Sequence, residues 1–191
     1  TNPTVTGYQD VPVEGTIEIQ DGSGTVLATA DGSELEADKK YMVVVGGGVA
    51  AGDEAGRDTP EALVLRDDLP DLSSDEVGLR VVHTSVNLSA SASPIDVFLV
   101  PPEDSVRAEN RVGSDVSFGE TWPGSPAGAF EVQSFPNEGR VLTVPTEAGA
   151  LELPIGTQGG ASLPPGRVIT AVAIDTEPDA GFPAAAIVQV D

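Results

Sequence analysis

The sequence contains no cysteine and only 4% aromatic residues in 191 positions. The lack of cysteine excludes disulfides, thiolate metal sites and thiol nucleophiles. Because aromatic side chains are scarce, small β-branched residues and alanine must fill most of the interior. Basic residues are also few, with nine Lys and Arg against 31 Asp and Glu, and His83 is the single histidine.

The formal net charge of −22 is the strongest compositional signal. A chain this acidic is repelled by nucleic-acid phosphates and anionic lipid headgroups, so we expect no nucleic-acid partner. No apolar run approaches the ~18 residues of a membrane span, so we expect no direct membrane insertion. The acidity suits a saline exterior, and the first residues, TNPTV without Met, suggest a processed product. We therefore expect a secreted or cell-surface protein.

Short runs of alternating apolar and polar residues recur along the chain. In residues 78–100, for example, Leu79, Val81 and His83 alternate with Arg80 and Val82. Alternation of period two in β-branched residues predicts strands, and 22 Gly with 16 Pro favour tight turns over long helices. We predict strands at 16–20, 26–28, 41–45, 62–65, 79–83, 95–100, 116–119, 130–133, 141–144, 151–155, 169–174 and 185–190.

Two parts of the chain carry the same sequence blocks in the same order. Residues 17–20 match 130–133, 24–27 match 139–142, 35–45 match 163–173, and Pro60 with Ala62 matches Pro183 with Ala185. Gly15 falls on Gly128, and the shared order favours a true internal repeat. The first copy has no counterpart of residues 79–118. We therefore expect residues 1–72, the first unit, to be a partial repeat and residues 73–191, the second unit, a complete one.

The second unit opens with a distinctive series of motifs: LRVVHTS at 79–85, PIDVF at 94–98, VSFG at 116–119 and PAG at 126–128. These motifs resemble the DUF4397 family of secreted or surface bacterial and archaeal domains, which often occur in tandem. The resemblance covers residues 78–191 well and residues 8–66 as a partial copy. It implies an all-β fold, an Ig-like antiparallel β-sandwich, without an assigned biochemical activity. The long loop after residue 85 and the missing opening strands of the first copy depart from the family pattern.

Two side chains are candidates for ligand binding. His83 could act as a ligand or base, but a base needs an orienting partner and a nucleophile, so a structural role at the sheet rim is favoured. Ser85 and Asp96 lie in the same motifs, but no G-x-S-x-G elbow accompanies them. Trp122 could stack on a sugar ring, although an aromatic residue beside Pro123 is more typical of a core plug. We therefore predict no enzyme, and a glycan as the ligand if one binds at Trp122 or His83.

The acidic linker between the units is the candidate metal site. Its carboxylates are Asp67, Asp68, Asp71, Asp75 and Glu76. Calcium takes six to eight oxygen ligands, which clustered carboxylates can supply, but the spacing does not match an EF-hand loop. Charge runs are more often solvated, so calcium is the only cofactor that the sequence suggests and none is required.

These patterns lead us to expect a non-enzymatic extracellular structural or adhesive module. A ligand-binding module for glycan or calcium is the alternative. The first unit should lack a partner sheet, so it is a trimmed fragment, packs on the second unit, or is completed by another segment of the same protein or another copy. Completion by another copy would build a homo-oligomeric filament through strand addition. The core should comprise Val81, Ile95, Val97, Phe130, Val132, Val172 and Ile187, buried between two sheets.

Overall fold

A computed structural model describes residues 7–46, 60–85, 94–100, 107–124, 128–134, 140–145, 165–174 and 184–190. The strands within these residues are β1 (Thr16–Gln20), β2 (Val26–Asp31), β3 (Tyr41–Gly46), β4 (Glu61–Arg66), β5 (Glu76–His83), β6 (Ile95–Val100), β7 (Arg111–Val116), β8 (Thr121–Trp122), β9 (Glu131–Ser134), β10 (Arg140–Pro145), β11 (Arg167–Ile174) and β12 (Ala184–Val190). The only helical segments there are two 3₁₀ turns, Gly32–Glu34 and Ala108–Asn110. The all-β prediction is confirmed.

Two sheets make up the second unit. The five-stranded sheet has the order β12-β11-β5-β8, and β9 also pairs with β5. All of its pairs are antiparallel except β5 with β11, which is parallel, so the expectation of purely antiparallel pairing is wrong at this point. The three-stranded sheet has the order β10-β6-β7 and is antiparallel. No described helix is long and apolar enough to cross a membrane.

One apolar cluster joins these two sheets. Its members are Val77, Leu79 and Val81 of β5, Ile95, Val97 and Leu99 of β6, Val116 of β7, and Ile169, Ala171 and Ala173 of β11. Alternate residues of a strand share one face, which is why odd-numbered residues of β5, β6 and β11 meet here. We call this cluster the main core.

The predicted core is confirmed for Val81, Ile95 and Val97, which are fully buried in the main core. The prediction that Val132 lies in the core is wrong, because its side chain is 38% exposed. Val132 pairs with Gly78, so it lies on the face of the sheet that points away from the main core. Phe130 lies on that same outer side over Arg80, and Val172 is buried but belongs to another cluster. The side chain of Ile187 lies outside the described residues.

Two predicted strands need comment. The strand predicted at 116–119 is wrong, because β7 ends at Val116 and the next residues turn back, with the Glu120 N–H donating to the Ser117 carbonyl at 3.0 Å. The polar residues before Val116 form β7 instead, as they can on a strand that pairs only with β6. The strand predicted at 151–155 lies outside the described residues.

The first unit consists of two antiparallel hairpins, β1–β2 and β3–β4. The turn of the first hairpin is held by the Asp21 carboxylate, which accepts from the Ser23 and Thr25 backbone N–H groups at 2.8 and 2.9 Å. These hydrogen bonds lower the pKa of Asp21, with the Ser23 side chain contributing most. Such a local turn explains why the sequence marks this hairpin clearly.

The β3–β4 hairpin packs on the outer face of the five-stranded sheet. Leu65 joins Val82 of β5 and Val172 of β11 in a second apolar cluster, which we call the interface cluster. Met42, Val44 and Leu63 pack against it from the hairpin. Of the three outcomes that the sequence left open, this packing against the second unit is therefore present.

The β3–β4 and β11–β12 hairpins, whose sequences match, also share their pairing register. Val45 pairs with Ala62 as Ala173 pairs with Ala185, at the matched positions of the two copies. The β1 and β2 strands differ from their matches, because they pair with each other, whereas β9 pairs with β5 and β10 with β6. The first unit has no sequence counterpart of β5 or β6, and among the described strands β1 and β2 pair with each other alone.

Candidate functional site

The most heavily bonded side chain between the two units is Arg80, in the middle of β5. It alternates with the main-core residues of its strand and therefore lies on the outer face of the sheet, under the first unit. Its side chain and that of Asp67 are both fully buried, and the Nη2 atom lies 2.7 Å from Asp67 Oδ1. The Nε group donates to Thr170 Oγ1 at 3.1 Å. Nη1 donates to the carbonyl oxygens of Gly128 at 2.9 Å and Arg66 at 3.1 Å.

Apolar groups complete the surroundings of this guanidinium. The Phe130 ring centroid lies 4.3 Å from Arg80 Cζ, a distance suited to a cation–π contact, and Nη2 lies 3.5 Å from the Met42 sulfur. Burial lowers the pKa of Arg80, and the Asp67 hydrogen bond and charge oppose that shift. A buried charge is tolerated only when it is paired and hydrogen-bonded, and this site satisfies both conditions.

Asp67 is in turn held by the first unit. Its backbone N–H donates to the Lys40 carbonyl at 2.9 Å, continuing the β3–β4 ladder, and its Oδ2 accepts from the Tyr8 hydroxyl at 2.9 Å. The Lys40 ammonium lies 5.0 Å from the centroid of the Tyr8 ring. The carboxylate therefore connects Arg80 of the second unit with the segment before β1.

Gly128 is required at this site for two reasons. Its φ of +87° lies in a region that L side chains rarely adopt. A Cβ there would also lie 2.6 Å from the backbone nitrogen of Arg66, so the two chain segments could not approach. We call Tyr8, Asp67, Arg80, Gly128 and Thr170 the arginine node.

Titration of Tyr8, which lies in the first unit, tests its contact with Asp67 in the arginine node. Burial, with the hydrogen bond and charge of Asp67 adding to it, raises the pKa of Tyr8 from 10.0 to about 12. A folded pKa above the unfolded one means that this contact contributes stability below pH 10 and loses it as the pH rises through 12. In a Tyr41→Phe chain, where Tyr8 is the remaining tyrosine, we expect phenolate absorbance to rise near pH 12. Adding Asp67→Ala should move the titration toward 10, and an unchanged midpoint would contradict the contact.

The structure distributes the predicted calcium ligands over separate contacts. Asp67 is paired with Arg80, and Asp68 lies 2.6 Å from Arg66 Nε. Ser73 donates its hydroxyl to Asp75 and its backbone N–H to Glu76, both at 2.8 Å. Hydrogen bonding to Glu76 from Ser73, above all from its backbone N–H, lowers the pKa of Glu76. Among the described residues, which include Asp71, no three or more His, Asp or Glu side chains are grouped so that they could hold a metal ion. Calcium binding remains a prediction that these contacts do not favour.

The two candidate ligand-binding side chains lie against the main core. His83 is fully buried, with its ring edge-on to Phe118 at a centroid distance of 6.1 Å. Trp122 is half-buried against the main core, and a Cβ at position 113 would overlap its indole ring, so Gly113 makes room for it. These are packing contacts, and both the structural roles and glycan binding remain predictions.

Two described contacts of Asp96 involve other residues than His83. Its carboxylate accepts from Arg111 Nη1 at 3.1 Å and from the Asp115 backbone N–H at 3.2 Å. Since Ile95 and Val97 belong to the main core, Asp96 between them projects from the opposite face of its sheet, away from the face that His83 shares.

The interface between the units joins two bodies of like charge. Residues 1–72 carry 15 acidic and four basic side chains, and residues 73–191 carry 16 and five, so each unit has a formal charge of −11. Arg80–Asp67 is the ion pair that crosses between them in the described part of the chain. Long-range repulsion between the units should therefore oppose their docking when salt is low.

We accordingly expect the melting temperature to rise as sodium chloride is added from low to molar concentration. Calorimetry at constant pH measures this, and a flat or falling curve would contradict it. Calcium at low millimolar concentration serves as the control for the linker. If the melting temperature rises sharply with calcium but not with sodium chloride at the same ionic strength, that result would support a calcium site.

Comparisons with known proteins give no relative. No protein-family model matches the chain, and no curated protein or solved structure matches it. Interpretation of the molecule therefore depends on its own residues and geometry.

Sequence reasoning missed the arginine node. It treated Arg80 as an ordinary alternating polar residue and Asp67 as a metal ligand. One signal was present: Arg80 stands in a run that is otherwise apolar, LRVV, where a charge calls for a buried partner.

Proposed function

We propose that this chain is a non-enzymatic structural or adhesive module of an extracellular protein. It belongs to an Ig-like sandwich architecture with one complete and one partial repeat, and neighbouring subunits complete the partial repeat by strand addition to form filaments. The extracellular setting is supported by the acidic composition and by the DUF4397-like motifs, and the assembly by the surface of the first unit.

The observation that carries this proposal is the uneven exposure of apolar side chains. Seven of the eight large hydrophobic side chains that are exposed in the described residues lie in the first unit: Tyr8, Val11, Val13, Val26, Leu27, Val43 and Leu69. Val132 is the one in the second unit. This difference between the units supports a surface on the first unit that another chain covers.

Exposure at matched positions of the two hairpins supports this proposal. Ala171 of β11 is 0% exposed in the main core, whereas Val43, its match on β3, is 38% exposed. The β3–β4 hairpin thus packs the face that carries Met42 and Val44 against the second unit, and no sheet formed by the described strands covers the face that carries Val43. An incomplete sheet with unpaired edges favours pairing with another chain.

Sedimentation at micromolar concentration and high salt tests this function. We expect long polymers, because a head-to-tail contact does not close on itself. A strict monomer whose first unit is well folded would contradict self-assembly, and closed dimers would contradict the filament.

A further inference from the structure

The shared register of the two hairpins indicates which edge of the first unit is incomplete. In the second unit, β11 pairs with β12 on one edge and with β5, in parallel, on the other. In the first unit, β3 pairs with β4 in the same register as β11 with β12. No described strand pairs with the second edge of β3. The edge that accepts β5 on β11 therefore has no strand partner on β3 among the strands that the structure describes.

The backbone groups available on this edge follow from the ladder. The Lys40 carbonyl accepts from the Asp67 N–H, so Lys40 and Asp67 form a hydrogen-bonded pair at the end of the β3–β4 ladder. Such pairs alternate along antiparallel strands. Residues 42 and 44 therefore bond to β4, and the N–H and C=O groups of Tyr41, Val43 and Val45 are directed to the other edge.

Resting on the proposed function, we propose that this edge of β3 binds a strand of β5 type from another polypeptide, in parallel. The register follows from the β11–β5 pair, in which Ile169 lies opposite Leu79, Ala171 opposite Val81 and Ala173 opposite His83. The incoming strand places residues of Leu79, Val81 and His83 type opposite Tyr41, Val43 and Val45. Its apolar side chains then cover the face on which Val43 is exposed.

The chemistry of the partner is set by these neighbours. The segment has to be extended over about seven residues, with a free N–H and C=O at each alternate position, which excludes proline there. On the Val43 face, its side chains at the positions of Leu79 and Val81 type must be apolar, because the matched residues of β5 belong to the main core. The other face can be more polar, as it is at Arg80.

A peptide with the sequence of residues 76–85, EVGLRVVHTS, is the probe. Labelled peptide is titrated with the full chain and binding is followed by fluorescence anisotropy. We expect saturable binding to the natural chain and to Val64→Pro, whose lost N–H faces the far edge of β4. Val43→Pro removes a donor from the proposed edge and leaves the β3–β4 ladder bonds in place, so its affinity should fall about tenfold or more.

The outcomes separate this proposal from the proposed function. If the peptide binds the Val43→Pro and Val64→Pro chains equally, or does not bind the natural chain, the proposal that the β3 edge accepts a strand is overturned. If Val43→Pro does not fold, a peptide carrying Val82→Pro replaces it, because even-numbered residues of β5 face the acceptor strand, as Thr84 does in donating its N–H to the Ala173 carbonyl. Undiminished binding of that peptide would also overturn the proposal. Polymers that persist unchanged in Val43→Pro would place the filament contact elsewhere and leave the proposed function standing. Peptide binding by a chain that never polymerises would support the edge and contradict self-assembly.

Discussion

Replacing Asp67 with alanine should destabilise the protein by about 3–5 kcal/mol, the cost of leaving a buried charge without its partner. Arg80 has no solvent access, so water cannot replace the carboxylate. The substitution also removes the acceptor of the Tyr8 hydroxyl. Since domains are commonly stable by only about 5–15 kcal/mol, a loss of this size should be plain in urea unfolding.

The matched control is the neighbouring residue. Asp68 pairs with Arg66 at 2.6 Å, but its side chain is 63% exposed, so Asp68→Ala should leave the urea midpoint nearly unchanged. If Asp67→Ala were as mild as Asp68→Ala, the carboxylate would not be the counter-charge of a buried arginine.

Truncating Ile95 to alanine should cost about 2–4 kcal/mol, from lost apolar burial and the cavity left behind. Ile95 is 0% exposed and lies in the main core, so the surrounding strands can close the gap only in part. Chemical unfolding measures the loss. Val132→Ala, at a 38% exposed position that the sequence placed in the core, should have a much smaller effect. Similar losses for the two variants would contradict the placement of the main core.

The strands were predictable because their signal is local. Alternation in 79–83 and 95–100 identifies both the strand and the face that meets the core, and the turn residues at 21–24 mark the first hairpin. Val132 and Phe130 were assigned to the wrong face, because the face of a strand depends on its pairing register. A shift of one residue exchanges the two faces, and β9 sets its register on β5 rather than on a hairpin partner.

The arginine node could not be predicted in the same way, because its partners are distant in the chain. Arg80 contacts Asp67, 13 residues before it, Gly128, 48 residues after it, and Thr170, 90 residues after it. The pairing of β11 with β5 places Thr170 opposite Arg80, and the packing of β3–β4 on the outer face of the sheet brings Asp67 to the same point. The matching sequence blocks, by contrast, lead to the proposal that the first unit lacks a partner, and the exposure of Val43 is an observation that supports this proposal.

The central claim is that the first unit docks on the second through a charge pair that crosses between them. A double-mutant cycle tests it directly, by measuring the cost of Asp67→Ala in the natural chain and again in an Arg80→Met chain. We expect a loss of about 3–5 kcal/mol in the natural chain and a far smaller loss when Arg80 is absent, because no buried charge is then left without a partner. Equal losses in the two backgrounds would show that Asp67 and Arg80 are not coupled, and would contradict the docking described above.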